Sequence, residues 1–541
     1  MDDIERDEKL VELIRRSLHP DTYEEFDRRV QKQATKLRES VEAGEFDVET
    51  YALGLELETY GVDEDGRLSR FPDAALSPPE AHGELGLHNV ELNTAPTRFD
   101  EAGLADQAAE LRQGVTAVRE ALADTGVEPV LDGMWPTPPA EWTREYLGAI
   151  EEFDDVVVAR NMRASPRYCA IDNEVVRQAG GTVEIDLPGV SETFPTILFE
   201  STTTSIQPHL QVPFPGSFTE YYNVGIRTLG PVLALGTNSP FLPADLYEDL
   251  EGGAALDAID AAHHEHRIPV FERVLNDGLD DENEWKVCVP DDIEHHADVV
   301  DRLAEDRTCA PFLREWLEDE RDRDSYTARI WEFDHKRGTY WRWLRAVVGG
   351  QPVGSDEGKG TTRQGEDENG TAGATQRSIR IEYRPIPTQP SVRDVVAFQA
   401  FVSGLLHGLV LADHPVAALD HGAAVRSFYA AVEDGLDADL AWVTADGDRT
   451  SDPGRIYPEL FEYARRGLRE RGIDRDTVEE YLRPVRARWE ARTTPSIWRK
   501  ERARDHVDDG ANLRDAIVAS QRAYVQRQSD EEVFVDRVSI E

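Results

Sequence analysis

Lysine is nearly absent from the 541 residues: Lys9, Lys32, Lys36, Lys286, Lys336, Lys359 and Lys500 are the full set, and arginine supplies the other cations. Cysteine is scarcer still. Cys169, Cys288 and Cys309 are far apart and in no CxxC pattern, which excludes a disulfide framework and a cysteine-based zinc site and points to a reducing compartment. The longest apolar run, "VVAFQAFVSGLLHGLVLA" (395–412), is interrupted by Gln399, Ser403 and His407. It falls short of the about 20 apolar residues a membrane span needs and predicts a buried helix. The opening "MDDIERDEKL" is charged where a signal peptide is apolar, so the expected location is the cytoplasm.

Familiar catalytic devices are missing too. There is no GxxxxGK[ST] loop, and "GLELETYG" lacks GxGxxG spacing, so any nucleotide must be held by metals and arginines and not by a glycine-rich loop. HExxH is absent: "HHEHR" (263–267) carries His263 and His266 at the wrong spacing and reads as a helix face. Without a GxSxG elbow, an acyl-enzyme hydrolase is not indicated. No internal repeat is present.

What the chain has in abundance is acid. Asp+Glu 107 against Lys+Arg 59 leaves a net charge of -48, which argues against nucleic acid and anionic membranes as partners. An acid-rich, lysine-poor surface fits concentrated salt, where a Debye length of roughly 3 Å at about 1 M removes self-repulsion. The 40% hydrophobic content still supports a sizeable core in one large or two domains.

Helical spacing over 2–45, broken at Pro20, predicts two N-terminal helices within residues 1–47. A domain over 48–415 follows. Its strands are predicted at "YALGLELETYG" (51–61), "HNVELNTAP" (88–96), "TSIQPHLQV" (204–212), "GTYWRWLRAV" (338–347) and "RSIRIEYRPIP" (377–387). Pro208 predicts an edge position or a bulge in the third of these. A helix is expected over 101–125, closed by Gly126, and another after "QPSVRD", with Ser391 as cap and Asp394 completing a capping box. The Gly-rich, polar stretch 348–376 reads as a flexible insertion. Helical patterns dominate 416–541, including 458–472 and 510–528, and predict a helical region packed on the preceding domain. Strands without regular strand-helix alternation indicate an α+β protein with a largely antiparallel sheet.

Strand alternation aims Glu56 and Glu58 one way and Leu55 and Leu57 the other. The same alternation groups Asn89, Glu91 and Asn93, and, on another strand, Ser205, Gln207, His209 and Gln211. Such acids form either a wet strand face or, where they converge from several strands with one imidazole, an oxygen-rich site for Mg²⁺ or Mn²⁺. Glu84, Glu91, His209 and Glu382 are the further members of that set. Arg384, near Glu382 and Arg380, reads as a strand-face ion pair or an anion ligand. Tyr340, Trp341 and Trp343 read as core or as a platform.

Taken in order, the pieces resemble the glutamate-cysteine ligase family, in its carboxylate-amine ligase branch. "LGLELETYGVD" resembles the family's opening Gly-x-Glu-x-Glu strand, and "ELGLHNVELNTAP" its paired acids. "SIQPHLQVPF" is similar to its Gln/His strand, "LGPVLALGTNSPFL" to its Leu-rich helix, and "HEHRIPVFERV" to its Ser-x-Arg segment with His266 in place of the small residue. "GTYWRWLRAV" resembles the Tyr-Trp-x-x-Arg strand and "IRIEYRPIPTQPS" the Glu-x-Arg strand, so the likeness spans roughly 50–412.

The resemblance implies a glutamine-synthetase-like fold, an antiparallel sheet bent into a funnel with metals and ATP on the concave side. It implies Glu56, Glu58, Glu84, Glu91, His209 and Glu382 as metal ligands for Mg²⁺ or Mn²⁺. Arg384 and Arg345 would act in catalysis by neutralising phosphates, Arg267 would bind the same anions, and Asn93, Thr94 and Gln207 would line the substrate region. The implied reaction joins glutamate, or another carboxylate, to cysteine or another amine through an acyl phosphate made from ATP. Two positions depart from the family's pattern: Pro387 stands where an Asp is usual, and Arg345 comes one place late. Two alternatives remain open at this point, a catalytically silent relative that binds a metabolite or protein, and a metal-dependent hydrolase that activates water with the same acids.

Overall fold

The computed structural model describes residues 3–213, 215–317, 326–349, 378–528 and 532–538. Apart from Val348 and Gly349, the 348–376 insertion lies outside the described residues. Two helices open the chain, α1 (Asp3–Ser17) and α2 (Pro20–Glu42). Pro20 sits in the first turn of α2, where its missing N–H costs nothing, and His19 caps that helix.

A sheet with nine strands among the described residues forms the centre of the molecule. Its main path uses β1 (Ala52–Asp63), β2 (Ala81–Gly83), β3 (Asn89–Asn93), β4 (Ile206–Gln211), β5 (Leu344–Val348) and β6 (Ile379–Tyr383), in the order β5-β6-β4-β1-β3-β2. Every pairing in it is antiparallel. Leu53, Leu55 and Leu57 of β1 are buried on one face, packed into a single hydrophobic cluster that runs from Leu10 to Ile517. Helices α3 (Glu101–Leu122, capped by Asp100) and α4 (Val392–Leu411) lie in that same core against the strands. Helix α4 is long and apolar enough to cross a membrane, but 89% of its apolar window is buried inside the protein.

Ser391 caps α4 as expected by accepting from the Asp394 N–H at 3.0 Å. Asp394 does not complete the capping box in the usual sense. Its carboxylate accepts from the Ser391 hydroxyl at 2.5 Å and pairs with the buried Arg488 at 3.0 Å, so it ties α4 to a C-terminal helix. Among the helices that follow are α5 (Pro453–Glu470), α6 (Arg475–Ala491), α7 (Pro495–Asp508) and α8 (Leu513–Gln526). Arg499 of α7 pairs with Asp132 at 2.8 Å, and Gln521 of α8 donates to Asp132 and to Tyr60 of β1 at 2.7 and 2.9 Å. The C-terminal helices thereby hold the far end of the central strand.

Three expectations need correction. The strand predicted over 338–347 is divided: Trp341–Arg342 pairs in parallel with Val287–Cys288, and only from Leu344 does the chain join the main sheet. Pro208 does not mark an edge, since β4 is paired on both sides; it marks a bulge. His209 lies opposite Glu382 and Ser205 opposite Pro387, so four steps on one chain face five on the other beside the residue that cannot donate. "HHEHR" is not a helix face: His263, His264, Glu265 and His266 precede the helix Arg267–Asn276, and Glu265 and His266 are fully buried.

Candidate active site

Cross-strand register places the acids. Residues opposite each other on paired strands share a face. Arg345 opposes Glu382, Glu382 opposes His209, and His209 opposes Gly54, which forms one row across the sheet. In the next row Glu56 lies between Gln207 and Asn93, and beyond it Glu58 faces Glu91. Because Gly54 contributes no side chain to the first row, His209 leans toward Glu56, with Nε2 at 3.3 Å from Oε1. Glu56, His209 and Glu382 offer ligand atoms within 4.8 Å of one another.

Around Glu56 the face holds two cavities. The first, about 220 Å³, is lined by Glu56, Glu58, Glu84, Glu91, Glu200, Gln207, Arg345 and Arg384 among others. These carboxylates are half-open to the cavity yet enclosed by protein. Burial raises Glu84 to about 7, helped by the neighbouring charge of Glu58. Burial raises Glu91 well above its ordinary value, with Glu56, Glu84 and Glu58 adding to the shift. Glu58 is raised by burial as well, against the pull of Arg267 and Arg384, and it accepts from the Ser205 N–H (2.6 Å) and from Gln207 (3.0 Å). Burial also opposes the charge on Glu382, but Arg345 and Arg384 outweigh it and hold this carboxyl well below the usual range.

The cations are positioned by that one acid. Arg345 donates to Glu382 from Nε at 3.1 Å and Nη2 at 2.8 Å, while Arg384 donates to its other oxygen and to Gln207 at 2.5 Å. Arg267 is buried behind them, 5.3 Å over the Trp343 ring, with Glu58 and Glu200 as its electrostatic partners. Asn93 donates to Glu91 at 2.7 Å. The Thr94 hydroxyl donates to Gln107 at 2.5 Å and accepts from the Leu55 N–H at 2.9 Å, so it is engaged in the scaffold. Both Asn93 and Thr94 line the second cavity, about 300 Å³, with Ala52, Leu53, Gly54, Leu55, Glu56, Pro96, His209, Gln211, Ser378 and Arg380. The aromatic cluster divides: Trp343 is core and supports Arg267, whereas Trp341 reaches the wall of the first cavity.

Several lining residues went unpredicted. Glu200 comes from a short 3-10 turn, Ile197–Thr202, that has no strand or helix period to flag it, and burial with Glu58 and Glu84 nearby raises it to about 8. Arg167 and Tyr168 come from the helix Pro166–Gln178. Arg167 occupies the space a side chain at Gly338 would need, since a Cβ there would lie 1.5 Å from its Nη2. Only the folded chain brings these two segments together.

The donor set fits hard divalent ions. Five carboxylates crowd one cavity, and the buried Nε2 of His209 points at two of the acids without a hydrogen-bond partner. Residues 52–511 match the model of glutamate-cysteine ligase family 2. The chain belongs to that family. Among solved structures, the glutamate-cysteine ligase of Francisella tularensis in complex with AMP is 14% identical, covering 91% of this chain and 92% of that one at a TM-score of 0.45. A bifunctional glutathione synthetase from Pasteurella multocida is 14% identical over 92% of this chain and 54% of its own length, at a TM-score of 0.49. A glutamine synthase homolog is 10% identical, covering 95% and 74%, at a TM-score of 0.23. No curated protein matches the chain. The candidate site of this glutamate-cysteine ligase family member lies on β1, β3, β4, β5 and β6, all within the matched region.

Proposed function

We propose that the chain is an ATP-dependent carboxylate-amine ligase that forms an amide through an acyl phosphate. Family membership supports amide-forming ligase chemistry. The observation that carries the reading to residues is the convergence of Glu56, Glu58, Glu84, Glu91, His209 and Glu382 with Arg345 and Arg384 on one sheet face.

A carboxylate is a poor acyl donor because oxide is its leaving group, and phosphorylation replaces it with one that departs. Transfer of the γ-phosphoryl group needs reactants held in line and charge stabilised on the transferring group, and no protein nucleophile. Glu56, His209 and Glu382 would hold one divalent ion, Mg²⁺ or Mn²⁺, and Glu58, Glu84 and Glu91 another, supplying the positive charge that lets a triphosphate lie against acids. Arg345 and Arg384, already aimed at this point by Glu382, are the groups that neutralise phosphate oxygens. The first cavity presents both carboxylates and arginines, which suits a substrate bearing ammonium and carboxylate groups; glutamate is the proposed donor, with cysteine or another amine as acceptor. The second cavity, with the backbone of Ala52–Leu55, Pro96 and a polar rim, suits a nucleoside. The proposal includes a sheet bent as a funnel around both cavities and a cytoplasmic location.

Incubation with ATP, Mg²⁺, glutamate and a panel of amines in concentrated salt tests this by ADP and phosphate release. ADP formed only with glutamate and one amine together is the expected result. Glu382→Gln, which removes a ligand and releases both arginines, should cut that turnover by at least about 100-fold. Turnover without any amine would replace the ligase by a metal-dependent hydrolase, and silence throughout would leave a non-catalytic binding protein.

A further inference from the structure

Six cations, Arg28, Arg29, Lys32, Lys36, Arg314 and Arg329, line one cleft of about 470 Å³ between α2 and the segments around Arg314 and Arg329. In a chain with 107 acids against 59 cations, such a concentration runs against composition. None of the six lines either cavity of the candidate active site. Arg28 is engaged by Glu25 at 2.7 and 2.8 Å, and Arg29 by Glu25, Glu315 and Glu332 at 2.7, 2.8 and 2.8 Å. Lys32 and Lys36 are exposed and have no carboxylate partner among the described residues. The Arg314 side chain donates to the Ala328 carbonyl at 2.6 Å and pairs with no carboxylate among them either.

Arg28, Lys32 and Lys36 stand four residues apart and form a single stripe along α2. Like charges at that spacing repel each other and weaken a helix. An acid at position 32 would turn both repulsions into attractions, so the stripe as it stands works against the fold unless an anion covers it.

We propose that this cleft is a binding site for a small anion that carries a diphosphate group. Lys32 and Lys36 lie about 6 Å apart along the helix axis, and two linked phosphates offer each ammonium its own charged acceptor. A single phosphate or sulfate would draw both ammonium groups onto one centre against their mutual repulsion. Arg314, with donors to spare, supplies the third cation, and a guanidinium suits phosphate oxygens. Arg29, held by three acids, frames the cleft. The inference stands apart from the ligase reading and is read without turnover.

Titration calorimetry of the full-length chain with pyrophosphate, in molar KCl and with chelator present, tests it. Without divalent ions the acid-lined cavity repels the probe, and molar chloride removes loose surface attraction. The wild type should bind one pyrophosphate saturably. Lys32→Glu should weaken that binding by at least about tenfold and at the same time raise the melting temperature, because Glu at 32 pairs with Arg28 and Lys36. Opposite signs in the two measurements separate a ligand site from a structural role, and a loss of binding cannot then be laid to misfolding. An ADP arm identifies the source: a Lys32-dependent site for pyrophosphate alone indicates a free diphosphate, and one for both indicates a nucleoside-borne group. No saturable binding in molar KCl, meaning an adventitious ion only, would overturn the proposal. So would pyrophosphate affinity unchanged in Lys32→Glu, which would put the anion elsewhere.

Discussion

At the residue scale, the charge state of the site follows from crowding. Glu84 and Glu200, raised to about 7 and about 8, bind their protons more tightly in the folded chain than in the unfolded one. Their contribution is fully present below the ordinary carboxylate range and is lost as pH rises through those values. The ion-free protein in concentrated salt should therefore lose thermal stability between about pH 5 and 8, and Mg²⁺ should restore it by taking the place of the protons. Melting temperatures measured with chelator and with Mg²⁺ check this; a flat profile in both would contradict it. Glu56 and Glu58 were legible as a pair from strand alternation alone. Glu200 was not, because a short irregular turn imposes no period that would flag a residue facing a cavity.

At the element scale, helix α4 was readable as buried from its composition, and the 458–472 pattern from its periodicity. What could not be read is how closely α4 and α5 approach. A Cβ on Gly408 would lie 1.9 Å from the Tyr463 carbonyl oxygen, and one on Gly467 would lie 1.9 Å from that of Gly404. The two helices touch backbone to backbone, and only glycine permits it. Gly467→Ala should cost about 1–3 kcal/mol by forcing the helices apart. Urea unfolding in concentrated salt would show it as a lower midpoint at unchanged slope. The divided strand at 338–347 has a similar cause: consecutive residues each suited to a strand were recruited by two different partners, Val287–Cys288 and β6, and partner choice is a long-range matter.

At the scale of the whole molecule, a net charge of -48 on one continuous core predicts that the fold depends on ionic strength. Dialysis from molar to low salt should lower the melting temperature and reduce the circular dichroism signal; an unchanged spectrum and melting temperature would refute it. Composition, alternation and motif order by themselves determined a mixed fold with an antiparallel sheet and the acids of its site face, because those properties are local or periodic along the chain. The tertiary structure alone decided which acids share a cavity and that Glu382 lies between two arginines. Those facts depend on register between strands far apart in sequence, and register is set when the strands pair, not by the residues within any one of them.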